Sequence, residues 1–89
     1  MTNRIAHLTL YGRGYCHLCD DMLAALGKLR GGFVFDVAVM DVDDDPSLEA
    51  KYDERVPVLA AGTIELCHHF FDEEAVKRHL ESVGARIRS

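Results

Sequence analysis

The segment Gly14-Tyr15-Cys16-His17-Leu18-Cys19-Asp20 places two cysteines three positions apart, between a strand-like run and a helical pattern. Residues 5–11 alternate apolar and polar side chains and are followed by Gly-Arg-Gly, which predicts a short strand and its end. From residue 18 to residue 29 the apolar positions recur at steps of four, four and three, which predicts a helix. The Cys pair is therefore predicted to lie where the loop after the first strand enters the first helix.

Farther along the chain, residues 33–40 are nearly continuously apolar. Such a run predicts a strand covered on both faces, with Met40 in the core, as in a mainly parallel sheet. Asp45 and Pro46 then form a cap and first residue of a short helix, because both residue types favour those positions. This interpretation is preferred to a calcium loop for the acidic run at residues 41–45, which lacks the glycine and final glutamate of an EF-hand.

Two further strands are predicted at residues 56–61 and 64–71, joined by a hairpin turn that contains a glycine. Asp72 is predicted to cap a last helix, with acidic residues in its first turn. The element order is therefore β-α-β-α-β-β-α. The first crossover predicts a parallel strand pair and the hairpin an antiparallel one, so the sheet is mixed.

Length and composition narrow the class of protein. The chain has 89 residues, which predicts a single domain over residues 1–89. The net charge of -5 argues against binding to nucleic acid, which requires a basic face. The sequence contains no apolar run of the roughly 20 residues that span a bilayer, and residues 1–7 do not resemble a secretion signal. Three cysteines, an odd number, argue against a disulfide framework, so we expect a cytoplasmic monomer without a membrane partner.

The first Cys of the pair is expected to be exposed at the positive end of the helix dipole, where a thiolate is favoured. Lowering the pKa of a thiol from about 8.5 to about 6 corresponds to about 3.4 kcal/mol of differential stabilisation. A helix terminus supplies about 2 kcal/mol at most, so hydrogen bonds or cations must supply the rest. The candidates are backbone N–H groups of the first turn, the Arg13 side chain and a protonated His17.

A C-x-x-C segment is also half of many zinc sites. Two of the residues Cys67, His68 and His69 could complete such a site if their strand were brought over the Cys loop. The position of the pair between a strand and an amphipathic helix favours redox chemistry, and no metal ligands are predicted. Cys67 is then predicted to be a small buried apolar residue, in preference to a second redox site.

Two segments carry a resemblance to a known family. Residues 8–19 resemble the segment of glutaredoxins in which a strand leads through a basic residue into the Cys pair and a helix. Residues 51–59 resemble the segment that carries the family's cis-proline. The whole chain is similar to small bacterial glutaredoxin-like proteins. The resemblance implies an α/β, thioredoxin-like fold: a four-stranded mixed sheet with helices on both faces.

The resemblance also implies roles for individual residues. Cys16 would be the attacking thiol and Cys19 the resolving thiol. Arg13 would help to hold a glutathione carboxylate, and the backbone of Val56, beside a cis Pro57, would pair with an extended substrate. By the same resemblance, Asp72 would meet the glutathione amino group. Two further site residues are expected from their positions beside Cys16: Tyr15 lines the substrate groove or shields the loop, and His17 tunes the thiolate or is an exposed helix residue with no special task.

The chain departs from the family pattern in two places. His17-Leu18 stands between the cysteines where glutaredoxins commonly have Pro-Tyr. His69-Phe70-Phe71 precedes the last helix where they have a Gly-Gly pair that admits glutathione, and Phe71 is expected to crowd that approach. Glutathione is therefore a candidate co-substrate that we expect to bind poorly.

These observations predict a thiol–disulfide oxidoreductase that acts in redox homeostasis and electron transport and needs no metal or organic cofactor. Its partners would be a disulfide-containing protein or a glutathionylated substrate, and a thiol reductant. Two alternatives stay open: a zinc- or iron–sulfur-binding module that uses the same cysteines, and a non-catalytic partner-binding domain of the same fold.

Overall fold

The computed structural model describes residues 5–87, and the predicted element order β-α-β-α-β-β-α is confirmed. Residues 1–4 and 88–89 lie outside this range. The expectation that the N-terminal segment is not a secretion signal rests in part on residues 1–4, which the structure does not describe. The strands are β1 (Ala6–Gly12), β2 (Phe35–Asp41), β3 (Val58–Ala61) and β4 (Ile64–His68). The helices are α1 (His17–Lys28), α2 (Pro46–Tyr52) and α3 (Glu73–Ser82). Short 3-10 turns follow α1 at Leu29–Gly31 and β2 at Val42–Asp44.

The four strands form one mixed sheet in the order β2-β1-β3-β4, so the prediction of a mixed sheet is confirmed. β1 pairs in parallel with β2 and antiparallel with β3, and β3 pairs antiparallel with β4. Gly62 has a φ of 62° in the tight turn between β3 and β4, a left-handed conformation that glycine adopts at little cost. β1 and β3 are therefore the central strands, and β2 and β4 form the two edges.

The sheet carries helices on both faces, as predicted, because successive side chains of a strand point to opposite sides. Leu10 of β1 and Leu59 of β3 join the larger core under α1 and α3, where Met22 and Leu80 are fully buried. The neighbouring residues of the same strands, Tyr11 and Val58, join the smaller core under α2 with Val42, Leu48, Tyr52 and Val56. Each fully buried Leu contributes about 1.5–3 kcal/mol, so the larger core dominates the stability of the domain.

The helix starts follow the predicted capping residues. An Asp45 carboxylate oxygen accepts a hydrogen bond from the Ser47 N–H at 2.8 Å, and Pro46 is the first helical residue of α2. An Asp72 carboxylate oxygen accepts from the Ala75 N–H at 3.0 Å at the start of α3. Each cap satisfies a backbone donor that the helix leaves free, which is worth about 0.5–2 kcal/mol.

The prediction that the second strand is covered on both faces, with Met40 in the core, is wrong. β2 is an edge strand, and the Val39 and Met40 side chains are 60% and 44% exposed. The apolar run predicted the strand correctly, but such a run does not distinguish a central strand from an edge strand. The strand also starts at Phe35, two residues later than predicted, because Phe33 forms an isolated bridge with Arg86.

The hairpin strands are shorter than predicted. β3 begins at Val58, directly after Pro57, which has no N–H to donate to the sheet. β4 ends at His68 instead of residue 71, because His69 has a φ of 63° and turns the chain out of the sheet. Within residues 5–87, none of the helices combines the length and the apolar composition that crossing a bilayer requires.

Candidate active site

The two cysteines lie at the junction of β1 and α1 and are joined as a disulfide, with their Cα atoms 5.2 Å apart. Cys16 is the N-cap of α1 and has extended backbone (φ -105°, ψ 103°), while Cys19 lies in the first turn. The backbone N–H of Cys19 donates a hydrogen bond to the Sγ of Cys16 at 3.1 Å. A free N–H at a helix N-terminus is directed at this sulfur, so the same contact favours a thiolate there once the bond is reduced.

The two sulfurs differ in access to solvent. Cys16 is half-buried at the rim of the loop, whereas Cys19 is only 7% exposed. Gly12, the last residue of β1, closes the site from behind: a Cβ atom built on it would lie 2.6 Å from the Sγ of Cys19. Cys16 is therefore the more accessible of the two cysteines.

Arg13, three residues before Cys16, is engaged within the protein. Its guanidinium contacts the carboxylates of Asp43 and Asp53, and it also donates to the Asp53 backbone carbonyl at 3.3 Å. Asp43 belongs to the turn after β2, and Asp53 follows α2. The cation thus holds the loop before Cys16 against α2, and its charge is matched by two carboxylates.

The predicted cis peptide bond between Val56 and Pro57 is present. Pro57 is buried and Val56 is half-buried. Tyr11 pairs with Val58 across the antiparallel strands, so one step farther along the register leads from Gly12 to Pro57. Pro57 therefore lies at the end of the sheet where the disulfide is found. Its carbonyl accepts a hydrogen bond from the His69 N–H at 2.8 Å, which brings the segment before α3 to the same end.

Three further expected site residues are placed in different ways. The Tyr15 side chain, next to Cys16, is fully exposed, and His17 is an exposed first residue of α1. Asp72 is the N-cap of α3, so one of its carboxylate oxygens is already an acceptor for the helix. The structure brings Arg13, Tyr15 and His17 together on the Cys loop, with Asp72 on the neighbouring loop that begins at His69.

The segment His69-Phe70-Phe71 differs in detail from the expectation. Phe71, which was expected to crowd the approach to the site, is half-buried and packs against the larger core. The exposed aromatic residue is Phe70, at 71%. His69 adopts left-handed backbone, which is uncommon for residues other than glycine but less rare for His than for most. The departure from the Gly-Gly pattern was the sequence signal for this segment, but the pattern does not show which of the two aromatic side chains is packed inward.

Gly12 is a site residue that sequence reasoning missed. It was taken as the end of a strand, and its contact with the buried sulfur is visible only once β1 and α1 are packed together. A glycine four residues before the first Cys was the available signal, because glycine allows close approach of another group to the backbone.

Cys67 is a buried residue of β4, as predicted, and it belongs to the larger core. Burial raises the pKa of its thiol, and the nearby carboxylates of Asp72 and Glu65 act in the same direction. A hydrogen bond with the Asp72 backbone opposes these effects only in part. The Cys67 thiol therefore stays protonated where a reactive cysteine would ionise.

A zinc site that used the Cys pair would need further ligands from Cys67, His68 and His69. Among residues 5–87, no three or more His, Cys, Asp or Glu side chains converge on a point where they could hold a metal ion. His68 instead pairs with Glu65 at 2.9 Å, and its ring stacks edge-on against that of His69. Of the residues suggested for the second half of a zinc site, His68 thus pairs with Glu65 and contacts His69, and Cys67 is buried in the larger core.

Comparison with known proteins agrees with this description. Residues 7–81 match the model of the glutaredoxin-like domain (DUF836). The solution structure of protein Ne2328 from Nitrosomonas europaea is 37% identical, with a TM-score of 0.79 over 90% of this chain and 99% of that one. The crystal structure of a structural-genomics target protein from X. campestris is 41% identical, with a TM-score of 0.64 over 84% of this chain and 96% of that one.

More distant structures share the fold. A thioredoxin from Plasmodium falciparum is 10% identical, with a TM-score of 0.62 over 98% of this chain and 77% of that one. A search of the curated proteins returned no match. The α/β architecture is therefore the thioredoxin-like fold, and it carries a Cys-x-x-Cys pair at the junction of β1 and α1. The family match covers most of the chain, and the chain accordingly belongs to the glutaredoxin-like domain family (DUF836).

Proposed function

We propose that this protein is a thiol–disulfide oxidoreductase in which Cys16 attacks and Cys19 resolves. The observation that supports the proposal most directly is the Cys16 sulfur at the N-cap of α1, with the Cys19 N–H directed at it. This arrangement stabilises negative charge on the more accessible of the two sulfurs.

The reaction takes two exchange steps. The Cys16 thiolate attacks one sulfur of a substrate disulfide, a mixed disulfide forms, and the other substrate sulfur leaves as a thiolate. Cys19, deprotonated, then attacks the Cys16 sulfur, which closes the intramolecular disulfide and releases the second substrate thiolate. Two electrons pass to the substrate, and a thiol reductant then supplies two further electrons, by exchange with the Cys16–Cys19 disulfide, to restore the dithiol. No metal or organic cofactor takes part.

We assign the substrate to the class of protein disulfides. The backbone of Val56 beside Pro57, together with the exposed Tyr15 ring, offers an extended segment a surface next to Cys16. A polypeptide suits this surface because main-chain hydrogen bonds give affinity without requiring a charged ligand. We place the activity in the cytoplasm, in redox homeostasis and electron transport, with the protein acting as a monomer.

Glutathione is a poor partner in this proposal, for two reasons. The Arg13 guanidinium already binds Asp43 and Asp53, so a glutathione carboxylate would have to displace an internal carboxylate. In addition, His69 and the exposed Phe70 stand where glycines would let a backbone approach the tripeptide closely. Turnover of a glutathionylated peptide should therefore be slow relative to that of a protein disulfide such as insulin.

The experiment that tests the proposal is mixed-disulfide trapping. Cys19→Ser should accumulate a covalent adduct with a disulfide substrate, seen by mass spectrometry and reversed by dithiothreitol, because the resolving thiol is gone. Cys16→Ser should form none, and Cys67→Ser, the matched control at the third cysteine, should turn over like the parent protein. If Cys16→Ser formed the adduct instead, the assignment of the attacking thiol would be wrong.

Two outcomes would favour the alternatives. Stoichiometric zinc or iron in protein purified without added metal, lost together in Cys16→Ser and Cys19→Ser, would favour the metal-binding module. Absence of insulin reduction with both a thioredoxin-type and a glutathione-type reducing system would favour a partner-binding domain without catalysis.

A further inference from the structure

A cavity of about 210 Å³ opens between α1 and the end of β2, on the far side of the Cys loop from Val56 and Pro57. Its apolar lining comes from both elements and from β1 and includes Leu10, Leu23 and Val39. We call this cavity the α1–β2 groove. Its inner end reaches Cys19.

The groove exists because α1 leaves the end of the edge strand uncovered. Val39 pairs with Leu10 in the parallel register, so the two side chains point to the same face of the sheet, the face that α1 covers. Leu10 is completely buried there, whereas Val39 is 60% exposed and Leu23 of α1 is 37% exposed. Exposed aliphatic side chains that border a cavity are typical of a binding surface, whereas isolated ones are not.

The polar rim of the groove is acidic. Asp20 of α1 and Asp41 at the end of β2 line it, and Arg13 is the lining residue that carries positive charge. The guanidinium of Arg13 is matched by Asp43 and Asp53, so it does not neutralise the rim. Asp41 accepts a hydrogen bond from the Asp43 N–H at 2.8 Å and Asp20 lies in the first turn of α1, but within residues 5–87 neither carboxylate forms a salt bridge. The groove therefore combines an apolar floor with two carboxylates at its edge that no basic side chain pairs with.

We propose that the α1–β2 groove docks a segment of a partner protein in which an aliphatic side chain is flanked by Lys or Arg. The cavity has room for such a side chain, since an apolar cavity of about 150 Å³ is enough to hold benzene. The flanking cations would meet Asp20 and Asp41, whose charge an acidic or neutral segment could not use. The proposal goes beyond the oxidoreductase function, because it concerns binding on a surface other than the one on which Cys16 is attacked.

The test is a binding titration that needs no thiol chemistry. The probe is the acetylated, amidated pentapeptide GKLKG, with GELEG as its charge-reversed control, added to ¹⁵N-labelled protein in the disulfide form. We expect amide shifts confined to the groove, with an affinity for GKLKG at least tenfold above that for GELEG, and a loss of affinity with added salt.

Two edge strands provide a matched pair of variants. Val39→Lys, in β2, should weaken GKLKG binding at least tenfold, and Leu23→Lys should do the same from α1. Ile64→Lys, in β4 at the opposite edge, changes a residue of nearly equal exposure, 59% against 60%, and should leave the affinity within twofold of the parent value.

Equal shifts with both peptides, shifts outside the groove, or no shifts at millimolar peptide would overturn the proposal. So would line broadening of the groove amides with protein concentration alone, because a second copy of the chain would then be the occupant. Insulin reduction measured on the same variants separates the two hypotheses. If the groove proposal is wrong, peptide binding fails while insulin reduction persists. If the oxidoreductase proposal is wrong, insulin reduction fails while peptide binding persists, as it should also do in Cys16→Ser, which cannot turn over.

Discussion

Gly12→Ala tests whether the tight contact behind the disulfide governs the redox equilibrium. The backbone of Gly12 is not left-handed, so alanine changes only the steric contact: its Cβ would lie 2.6 Å from the Cys19 Sγ and 3.4 Å from the Cys19 Cβ. Overpacking of a buried site costs about 1–3 kcal/mol. In the disulfide the Cys19 sulfur is fixed by its bond to Cys16, whereas in the dithiol it can rotate away from the new methyl group.

The penalty should therefore fall mainly on the oxidised protein. If the whole penalty of about 1–3 kcal/mol is specific to that form, the reduction potential of the Cys pair rises by about 20–60 mV, since about 1.4 kcal/mol corresponds to about 30 mV for a two-electron couple. Urea unfolding followed by far-UV circular dichroism, in both redox states, measures the two penalties. Equilibration with dithiothreitol buffers, followed by alkylation and mass spectrometry, measures the potential.

Gly27→Ala is the matched control. Gly27 lies in α1, and a Cβ built on it has nothing within 4 Å. Alanine there should raise the free energy of unfolding by about 0.5 kcal/mol in both redox states and leave the potential unchanged. A Gly12→Ala protein as stable as the parent in both states, with the same potential, would refute the reasoning, as would an equal penalty in both states.

The remaining predictions concern the core, a cap and the third cysteine. Leu80→Ala should lower the free energy of unfolding by about 2–5 kcal/mol, because Leu80 is fully buried, whereas Leu23→Ala at a partly exposed position should cost less than about 1 kcal/mol in the same urea titration. Asp72→Ala should cost about 0.5–2 kcal/mol through loss of the α3 cap, and Asp72→Asn, which still caps, only a few tenths; equal losses would exclude capping as the cause. The raised pKa of the Cys67 thiol predicts slow alkylation by iodoacetamide in the folded disulfide form and fast alkylation in urea. It also predicts that stability declines above pH 9.0, where the thiol of the unfolded chain ionises and that of the folded chain does not, and that Cys67→Ala removes this part of the decline.

Much of the fold was predictable because local signals agreed with one another. Asp45, Pro46 and Asp72 mark helix starts by chemistry that acts within one turn, and the structure confirms each of them. The position of β2 was not predictable, because Val39 and Met40 look the same in sequence whether a helix covers them or not. Whether a strand lies at the edge or in the centre of the sheet is decided by how elements that are distant in the sequence pack together.

The candidate site was predictable only where a motif fixes it. The Cys16–Cys19 pair follows from a short motif, and the cis bond before Pro57 was implied by the resemblance of residues 51–59 to the glutaredoxin segment. The partners of Arg13 do not, because Asp43 and Asp53 lie 30 and 40 residues away and several other acidic residues were equally available. The exposure of Phe70 in place of Phe71 depends on the left-handed turn at His69, which no local pattern predicted.

The Arg13 guanidinium, near Cys16, binds Asp53 directly after α2. Its contacts therefore depend on whether this short helix stays folded. α2 has seven residues, too few to hold together without tertiary contacts, and it packs on the smaller of the two cores. Its amide hydrogens should therefore exchange with solvent faster than those of β1 and β3, through local openings that leave the rest of the domain folded. Each opening frees the Arg13 guanidinium from one of its two carboxylates, three residues before Cys16. If Cys16 reacts as proposed, the positive charge that Arg13 can offer to an approaching thiolate reductant then depends on how often α2 opens. Hydrogen exchange of the α2 amides measures that frequency.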